Sequence, residues 1–299
     1  MKNILITGGS GMIGQKLTKQ LESNQYQVAW LSRTPDQNSH KSFFWDITEK
    51  KVDQKALEWC DAIVHLAGAG VAEKRWTPAR KKQILDSRVD TAQLLFDHFR
   101  AMEKRPEVVV SASGANYYGL DNGYQILNED SPAGNDFLAQ VAKKWEETIL
   151  QFEKLGARTV CLRTGIVLDR DGGALEEILK PPITAPVGSG NQIMSWIHIQ
   201  DLVNLYQFAL EEKNVSGCYN AATSSPASNK AFTQVASRIK GKPFIPLPVP
   251  GFALKLFLGE LAGVVLGGNH ISPDKIISAG FKFKHVDLNE ALMDIYGKK

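Results

Sequence analysis

The sequence predicts an α/β protein, built on a doubly wound parallel sheet with a smaller C-terminal lobe. Strand-like and helical segments alternate through the first 168 or so residues. The strand-like segments are near-continuous runs of Val, Ile and Leu, as at residues 108–110, rather than alternating apolar and polar residues. Such runs are typical of parallel strands covered by helices on both faces. Right-handed crossovers between them then give a doubly wound sheet.

The elements follow in a regular order. Strands are predicted at residues 3–7, 27–32, 42–45, 62–67, 108–113 and 159–164, and helices at 12–21, 78–101 and 137–155. Pro78 suits the first turn of its helix, where the missing N–H is not needed. The alternation loosens after Val167, where prolines separate shorter elements. We therefore expect a dinucleotide-binding domain at 1–168, to which 196–222 return, and a substrate lobe from 169–195 and 223–299.

A glycine-rich turn joins the first strand to the first helix. Gly8, Gly11 and Gly14 are three residues apart, and glycine permits a positive φ and a close backbone approach. A helix N-terminus in this position offers free N–H groups and a favourable dipole to a pyrophosphate. The alternative is an ordinary glycine-rich turn, which the flanking strand and helix disfavour. The predicted cofactor residues here are Thr7, Gly8, Gly9, Ser10, Gly11, Met12, Ile13 and Gly14.

The end of the second strand indicates which dinucleotide binds. An acid there would hold the ribose hydroxyls of NAD, whereas an arginine favours the 2′-phosphate of NADP. The chain has Arg33 at this point and no acid before Asp36, so we expect NADP(H) rather than NAD(H). The alternative is a solvated arginine in a turn.

Composition excludes several classes of protein. The net charge of the 299 residues is +3, with Lys and Arg scattered, which gives no support for nucleic-acid binding. The three cysteines have no C-x-x-C spacing and the six histidines do not cluster, so we expect buried thiols and no metal site. A strand begins almost at the first residue, which leaves no room for a signal peptide and predicts a cytoplasmic protein.

Residues 252–268 form the longest apolar run. The run carries Lys255 and Glu260 and is shorter than the ~20 residues of a membrane span. We interpret it as a buried helix of the second lobe rather than a membrane segment, and it makes a homodimer conceivable.

Residues 7–14 resemble the T-G-G-x-G-x-I-G fingerprint of extended short-chain dehydrogenase/reductases, which include nucleotide-sugar epimerases. The resemblance implies a Rossmann-type domain, adenine contacts from Asp46 and Ile47, and a cofactor-lining segment at Leu66, Ala67 and Gly68. It covers essentially the whole chain. Further segments resemble an atypical, epimerase-like branch that carries a C-terminal domain of unknown function: 74–76, 87–88, 117–119, 144–146 and 279–283.

The family's chemistry depends on a Tyr-x-x-x-Lys pair, and this chain departs from it. Ala139 precedes Lys143 by four residues, and Gln140 precedes Lys144. The resemblance leaves Ser113 as the family's serine and Lys144 as the contact to the nicotinamide ribose. Tyr117 or Tyr118 could supply a relocated acid/base; the alternative is aromatic packing.

Other residues are candidates for the substrate. Arg75, Arg88 and Arg163 could together form an anion pocket, and Trp76 could stack on a ligand. His198 could serve as an acid/base, because the unperturbed pKa of histidine lies near neutrality. The alternatives are solvated arginines, a buried tryptophan and a structural histidine between the lobes. We therefore expect an NADP(H)-dependent oxidoreductase or epimerase acting on a small polar, sugar-like carbonyl or hydroxyl compound. The alternative is a non-catalytic NADP(H)-binding redox sensor or regulatory protein.

Overall fold

The computed structural model describes residues 1–37 and 40–297 and confirms the α/β fold. The last two residues of the predicted second lobe lie outside the described residues. The strands are β1 Asn3–Thr7, β2 Gln27–Ser32, β3 Ser42–Asp46, β4 Lys51–Val52, β5 Ala62–His65, β6 Val108–Gly114, β7 Asp121–Leu127, β8 Arg158–Thr164, β9 Ile166–Leu168, β10 Ile193–Met194, β11 Trp196–His198, β12 Gly217–Ala221, β13 Ala227–Ser228 and β14 Gly268–Ile271.

The α-helices alternate with the strands in the first half of the chain. They are α1 Met12–Ser23, α2 Gln54–Trp59, α3 Pro78–Arg100, α4 Phe137–Leu150, α5 Ala174–Leu179, α6 Ile199–Glu211, α7 Asn229–Lys240, α8 Gly251–Leu258, α9 Ala262–Leu266, α10 Asp274–Ser278 and α11 Leu288–Tyr296.

The large sheet has eight strands in the order β12-β8-β6-β5-β1-β2-β3-β4. Its pairs are parallel except β3 with β4 at one edge. Strand order reverses next to β1, so the carboxyl ends of β1 and β5 flank a crevice, the usual ligand position in such a sheet.

Apolar side chains fill both faces of this sheet. Leu17 of α1 and Tyr206 of α6 belong to the core on one face. Leu57 of α2, Phe99 of α3 and Trp145 of α4 belong to the core on the other. The buried strand positions point to both sides, which explains why the sequence shows apolar runs rather than alternation.

The second lobe has its own sheet and core. Its strands have the order β13-β10-β14-β7, and a third cluster packs α5, α7 and α11 around Phe232 and Leu292. β7 pairs with β14, which puts residues 121–127 of the predicted first domain into the smaller sheet. Residues 217–221 form the edge strand β12 of the large sheet.

The apolar run at 252–268 is not the buried helix that its composition predicts. Residues 251–266 form α8, a 3₁₀ turn at Gly259–Leu261 and α9, and α8 has no buried residue. Gly259, with a φ of 61°, ends α8, and Gly267 ends α9, because glycine is a poor helix former that readily takes such end positions. No helix among the described residues is both long and apolar enough to cross a bilayer.

We predict that Gly14→Ala destabilises the protein by about 1–3 kcal/mol, the usual cost of overpacking. A Cβ at position 14 would lie 2.5 Å from the Gly8 carbonyl oxygen and 2.7 Å from the Gly9 Cα, and backbone cannot yield as a side chain does. Urea unfolding measures the change. Gly11→Ala is the control, because its Cβ meets only the Gly8 oxygen, at 3.3 Å. Equal losses for the two variants would contradict the packing explanation.

Candidate functional site: a dinucleotide crevice and a buried ion pair

The glycine turn is rigid on one side and open on the other. Gly8 has a φ of 72°, and a Cβ there would lie 2.9 Å from the Leu66 carbonyl carbon. Gly9 lies against the indole of Trp30. A Cβ added at Gly9 would lie only 2.3 Å from the nearest atom of that ring. Ser10 and Gly11 are exposed, and Gly11 begins α1 without a side-chain cap. The first-turn N–H groups of this twelve-residue helix therefore remain available to an anion.

Thr7 connects this turn to the one after β5. Its buried hydroxyl accepts hydrogen bonds from the N–H groups of Leu66, at 3.2 Å, and Ala67, at 3.1 Å. These bonds hold the Leu66–Ala67 backbone beside Gly8, so the contribution of Thr7 is to position the crevice. Leu66 and Ala67 are half-buried and Gly68 is exposed at its edge.

A cavity of about 390 Å³ lies next to the predicted adenine residue Ile47. Gln83 and Ser87 of α3 line its other side. Asp46 is half-buried, and its Oδ1 accepts from the N–H groups of Thr48, at 2.7 Å, and Glu49, at 3.0 Å. An apolar side chain facing polar amide and hydroxyl groups suits a flat base with polar edges. Lys82, Asp86 and Ala79 complete the lining of this cavity.

Arg33 lies at the end of β2 and is exposed. Within residues 1–37 and 40–297 its guanidinium has no hydrogen-bond or ion-pair partner. Ser32 Oγ accepts from the Thr34 N–H at 3.1 Å, so the turn around Arg33 is ordered while its side chain is available.

Ser113 is committed to a buried ion pair. It is 7% exposed, and its Oγ donates to Glu146 Oε1 at 2.6 Å. Arg163 donates to both oxygens of the same carboxylate, from Nε and Nη2, each at 2.9 Å. Glu146 and Arg163 are 4% and 3% exposed, so a carboxylate and a guanidinium compensate each other away from water. Because the Ser113 hydroxyl donates its proton to Glu146, it is not free to donate to a substrate carbonyl, which does not favour its predicted role.

The inward face of α4 carries no Tyr–Lys pair. Lys143 and Lys144 are exposed, and the residue that meets Ser113 from this helix is Glu146. Counting back from Glu146 by four and eight positions gives the buried Ala142 and Leu138. The exposed position of Lys144 does not favour its predicted contact with the nicotinamide ribose.

The two predicted tyrosines differ in availability. Tyr118 is buried; its hydroxyl donates to Asn220 Oδ1 at 2.7 Å and accepts from Arg163 at 3.0 Å. Burial raises the pKa of Tyr118 to about 12, so it is a poor acid/base at neutral pH. Tyr117 is half-buried, with its ring face 3.4 Å from the Arg163 guanidinium carbon. Its hydroxyl has no hydrogen bond within the described ranges.

Arg75 and Trp76 lie where the first domain meets α8 and α9. The Arg75 guanidinium packs on Gly259. A Cβ added at Gly259 would lie 3.0 Å from Arg75 Nε. Trp76 Nε1 donates to the Val71 carbonyl at 2.8 Å, and its ring meets Phe137 edge-on at 5.2 Å. The indole is therefore a packing residue at the inter-lobe contact, while exposed Arg75 can still reach a ligand.

Arg88 supports the loop after β5. It donates to the carbonyls of Ala69, at 3.0 Å, and Ile84, at 2.9 Å, and lies 5.2 Å from the centre of the Trp145 ring. Burial lowers the pKa of Arg88 to about 10, which still leaves it cationic at neutral pH. The structure thus places it beneath Gly68 rather than at an anion pocket shared with Arg163.

His198 lies in a different cavity, of about 630 Å³, which none of Arg75, Trp76, Arg88 or Ser113 lines. It caps α6, its Nδ1 accepting from the Gln200 N–H at 3.1 Å, and stacks on His285 with ring centres 3.8 Å apart. Burial lowers the pKa of His198 to about 4, so the ring is neutral at pH 7. These contacts favour a structural histidine, the alternative to an acid/base role for His198.

His198, His285 and Asp294 bring possible metal-ligand atoms within 4.8 Å of one another. Because His198 Nδ1 is the cap acceptor, its neutral ring carries the proton on Nε2. Nε2 in that tautomer carries a proton and has no lone pair free to ligate a cation, so the cluster does not favour a metal.

Comparison with known proteins identifies the family of this chain. Residues 4–143 match the model of the NAD dependent epimerase/dehydratase family, and residues 249–295 match a domain of unknown function, DUF1731. An epimerase family protein of Staphylococcus aureus (strain MRSA252) is 34% identical over 302 residues, covering 100% of both chains. The chain belongs to the epimerase family.

This NAD(P)-binding protein of the epimerase family is also similar to solved structures over its whole fold. A human epimerase family protein crystallised with NADPH has a TM-score of 0.88 and 30% identity, covering 98% of this chain and 99% of that one. A UDP-glucuronic acid 4-epimerase from Bacillus cereus, in complex with UDP-glucuronic acid and NAD, has a TM-score of 0.78 and 19% identity, covering 98% of each chain. The second likeness shows the fold alone.

Glu146, Gln83 and Ser87 are the site residues that the sequence did not single out for a role. Glu146 has a signal in the sequence, because Leu138, Ala142 and Glu146 recur at the helical spacing of a buried face. Gln83 has none, because nothing local indicates that one turn of a long helix faces Ile47. Ser87 lies in the segment 87–88 that resembles the atypical branch, but that resemblance gave it no role.

We predict that Glu146→Leu lowers the free energy of unfolding by about 3–5 kcal/mol, because it leaves Arg163 buried without its counter-ion. Urea unfolding measures the loss, and Glu147→Leu, at an exposed neighbouring position of α4, is the control. The double change Glu146→Leu with Arg163→Met should restore part of the stability. A double variant as unstable as the sum of the single ones would contradict the charge explanation.

Proposed function

We propose that the protein uses NADP(H) in preference to NAD(H). The observation that carries the proposal is the available Arg33 guanidinium at the end of β2, the strand that pairs in parallel with β1 and its glycine turn. Guanidinium groups bind phosphate through two parallel hydrogen bonds, and the 2′-phosphate distinguishes NADP from NAD. The NADPH in the human relative, at 30% identity, supports the choice, whereas the NAD in the Bacillus cereus epimerase belongs to a more distant protein.

Replacing Arg33 with Ala should weaken NADPH binding roughly ten- to a hundredfold, the usual value of a charge-assisted hydrogen bond, and leave NADH binding unchanged. Calorimetric titration of both cofactors measures this, and Arg100→Ala, at an exposed arginine of α3, is the control. If the wild-type protein binds NADH as tightly as NADPH, the assignment is wrong.

The proposed activity is that of an oxidoreductase or epimerase acting on a small polar, sugar-like hydroxyl or carbonyl compound. Bound nicotinamide would supply hydride chemistry, and the protein must then move one proton at the substrate oxygen. Ser113 and Tyr118 are both committed to the Arg163–Glu146 network. Tyr117, with a free hydroxyl and a cation against its ring, is the remaining candidate for that step.

We expect Tyr117→Phe to slow any turnover found with NADPH and a panel of sugar-like carbonyl compounds by roughly a hundredfold or more, because it removes the acid/base hydroxyl. Cofactor affinity should not change, since the hydroxyl is not needed for binding. Tyr124→Phe, at an exposed tyrosine of β7, is the control. Equal rates for Tyr117→Phe and the wild type would remove this residue from the mechanism.

A second function, NADP(H) binding without turnover as a redox sensor or regulator, is favoured by one observation. The buried face of α4 has Leu138 and Ala142 where Tyr–Lys chemistry would need polar residues. Tight NADPH binding without turnover across the panel would support this function over the first.

A further inference from the structure

The cavity beside His198 is separate from the predicted dinucleotide crevice. Its volume of about 630 Å³ is within the roughly 300–1,000 Å³ of small-molecule sites. Its lining comes from α1, the turn after β9, the start of α6, residues 284–285 and α11. None of the predicted cofactor residues lines it, and of the predicted substrate residues only His198 does. We call this space the α1–α6 cavity.

The buried part of the lining contains polar atoms without a hydrogen bond. Asp169, His198 and His285 are 2%, 3% and 7% exposed. Asp169 Oδ2, His198 Nε2 and His285 Nδ1 make no hydrogen bond among the described residues. Each histidine nitrogen lies 3.4 Å from a carboxylate oxygen, of Asp294 and Asp201 respectively, without hydrogen-bond geometry. Because buried polar atoms in native proteins are usually bonded, three of them at one cavity indicate a site for a polar ligand.

These atoms need a group that both donates and accepts hydrogen bonds. Asp169 Oδ2 belongs to a carboxylate, which accepts. Nε2 of neutral His198 carries the proton, because Nδ1 accepts from the Gln200 N–H, and so Nε2 donates. Nδ1 of His285 does either, according to its tautomer. A hydroxyl group donates one hydrogen bond and accepts others, so neighbouring hydroxyls on one ligand suit this set.

The exposed part of the lining is cationic. Lys19, Arg170 and Lys284 are exposed there. Across residues 1–37 and 40–297, the ammonium groups of Lys19 and Lys284 have no ion pair or hydrogen bond. Four cationic side chains line the cavity against three carboxylates. The outer part of the cavity therefore suits an acidic group.

The walls of the α1–α6 cavity are already held together. The Lys16 ammonium lies 3.2 Å from Asp169 Oδ1 and 3.0 Å from an Asp171 oxygen, which joins α1 to the turn after β9. The buried Asp201 carboxylate accepts from the backbone N–H groups of Lys284, at 3.0 Å, and of the next residue, at 2.8 Å. Because these contacts exist without a ligand, binding would cost little further conformational entropy.

We propose that the α1–α6 cavity binds a small polyhydroxylated anion, such as a sugar acid or a sugar phosphate. Hydroxyl groups of the ligand bond to Asp169 and His198 in the buried part. Its acidic group pairs with Lys19 and Lys284 at the exposed part. This site is additional to the proposed substrate site and lies apart from the candidate substrate residues at the inter-lobe contact.

Other occupants suit the cavity less well. A metal cation would face the proton on His198 Nε2. An apolar molecule would leave the buried polar atoms unpaired, which costs free energy. An amino acid has no net charge, whereas the cations of the lining outnumber its carboxylates.

Calorimetric titration of the full chain with glucose 6-phosphate, gluconate, glucose and inorganic phosphate tests the proposal. At least one of the two hydroxylated anions should bind at least tenfold more tightly than glucose or inorganic phosphate, because only these two carry both kinds of group. The first two arms distinguish a phosphate from a carboxylate as the acidic group.

Replacing Lys19 and Lys284 together with Ala should weaken that binding at least tenfold, because charge-assisted hydrogen bonds are lost. The matched control replaces Lys213 and Lys282 with Ala, two exposed lysines that do not line the cavity. All four positions are exposed, and an unchanged melting temperature without ligand shows that each variant is folded.

The proposal is overturned if none of the four compounds binds. Inorganic phosphate that binds as tightly as glucose 6-phosphate also overturns it, because the hydroxyl groups then contribute nothing. Binding that Arg75→Ala weakens and the change at Lys19 and Lys284 does not would assign the compound to the candidate substrate site instead. None of these outcomes depends on whether NADPH or NADH is the cofactor.

Discussion

The buried pair of Glu146 and Arg163 is the interaction on which the centre of the molecule depends. It joins α4 to β8 in the large sheet, and Ser113 at the end of β6 donates to it. On the other side Arg163 donates to Tyr118 and to the carbonyl of Glu129, and Tyr118 continues to Asn220 of β12. Asn220 in turn donates to the carbonyls of Leu127 and Ser272 in the second lobe. One compensated charge pair thus anchors a chain of hydrogen bonds that crosses from the large sheet to the smaller sheet.

This network also explains why the site is unlike that of a conventional short-chain dehydrogenase/reductase. A lysine cation on the inward face of α4 would compete with Arg163 for the same carboxylate in a space that excludes water. The face instead carries alanine and leucine, which pack without a charge, and Ser113 donates to the acid. Hydride chemistry at this site would have to take its proton from outside the network, and Tyr117 lies on its border, stacked on the guanidinium.

The sequence predicts the fold well because the fold depends on local rules; the cofactor crevice follows from the same rules and stays a prediction. Glycine spacing after a strand determines the turn, and apolar periodicity determines the helices and strands. The position of Lys144 depends on something else, the rotation of α4 about its axis, which is set by Trp145 packing in the core and by Glu146 pairing with a residue seventeen positions away. Side chains two positions apart on a helix point to roughly opposite faces. The spacing of a motif alone therefore could not show which face of α4 Lys144 occupies. The prediction of a buried helix for residues 252–268 is wrong for a related reason, because apolar composition indicates a tendency to be buried and does not determine how the segment packs.

The contact between Trp30 and Gly9 couples two positions that are far apart in the sequence. The indole covers the glycine turn, and its Nε1 donates to Thr18 Oγ1 at 2.8 Å, so the ring cannot swing aside without losing a buried hydrogen bond. Any side chain at position 9 would therefore need a smaller residue at position 30. Among related chains we expect these two positions to covary in volume, and a chain with alanine at the first should lack tryptophan at the second.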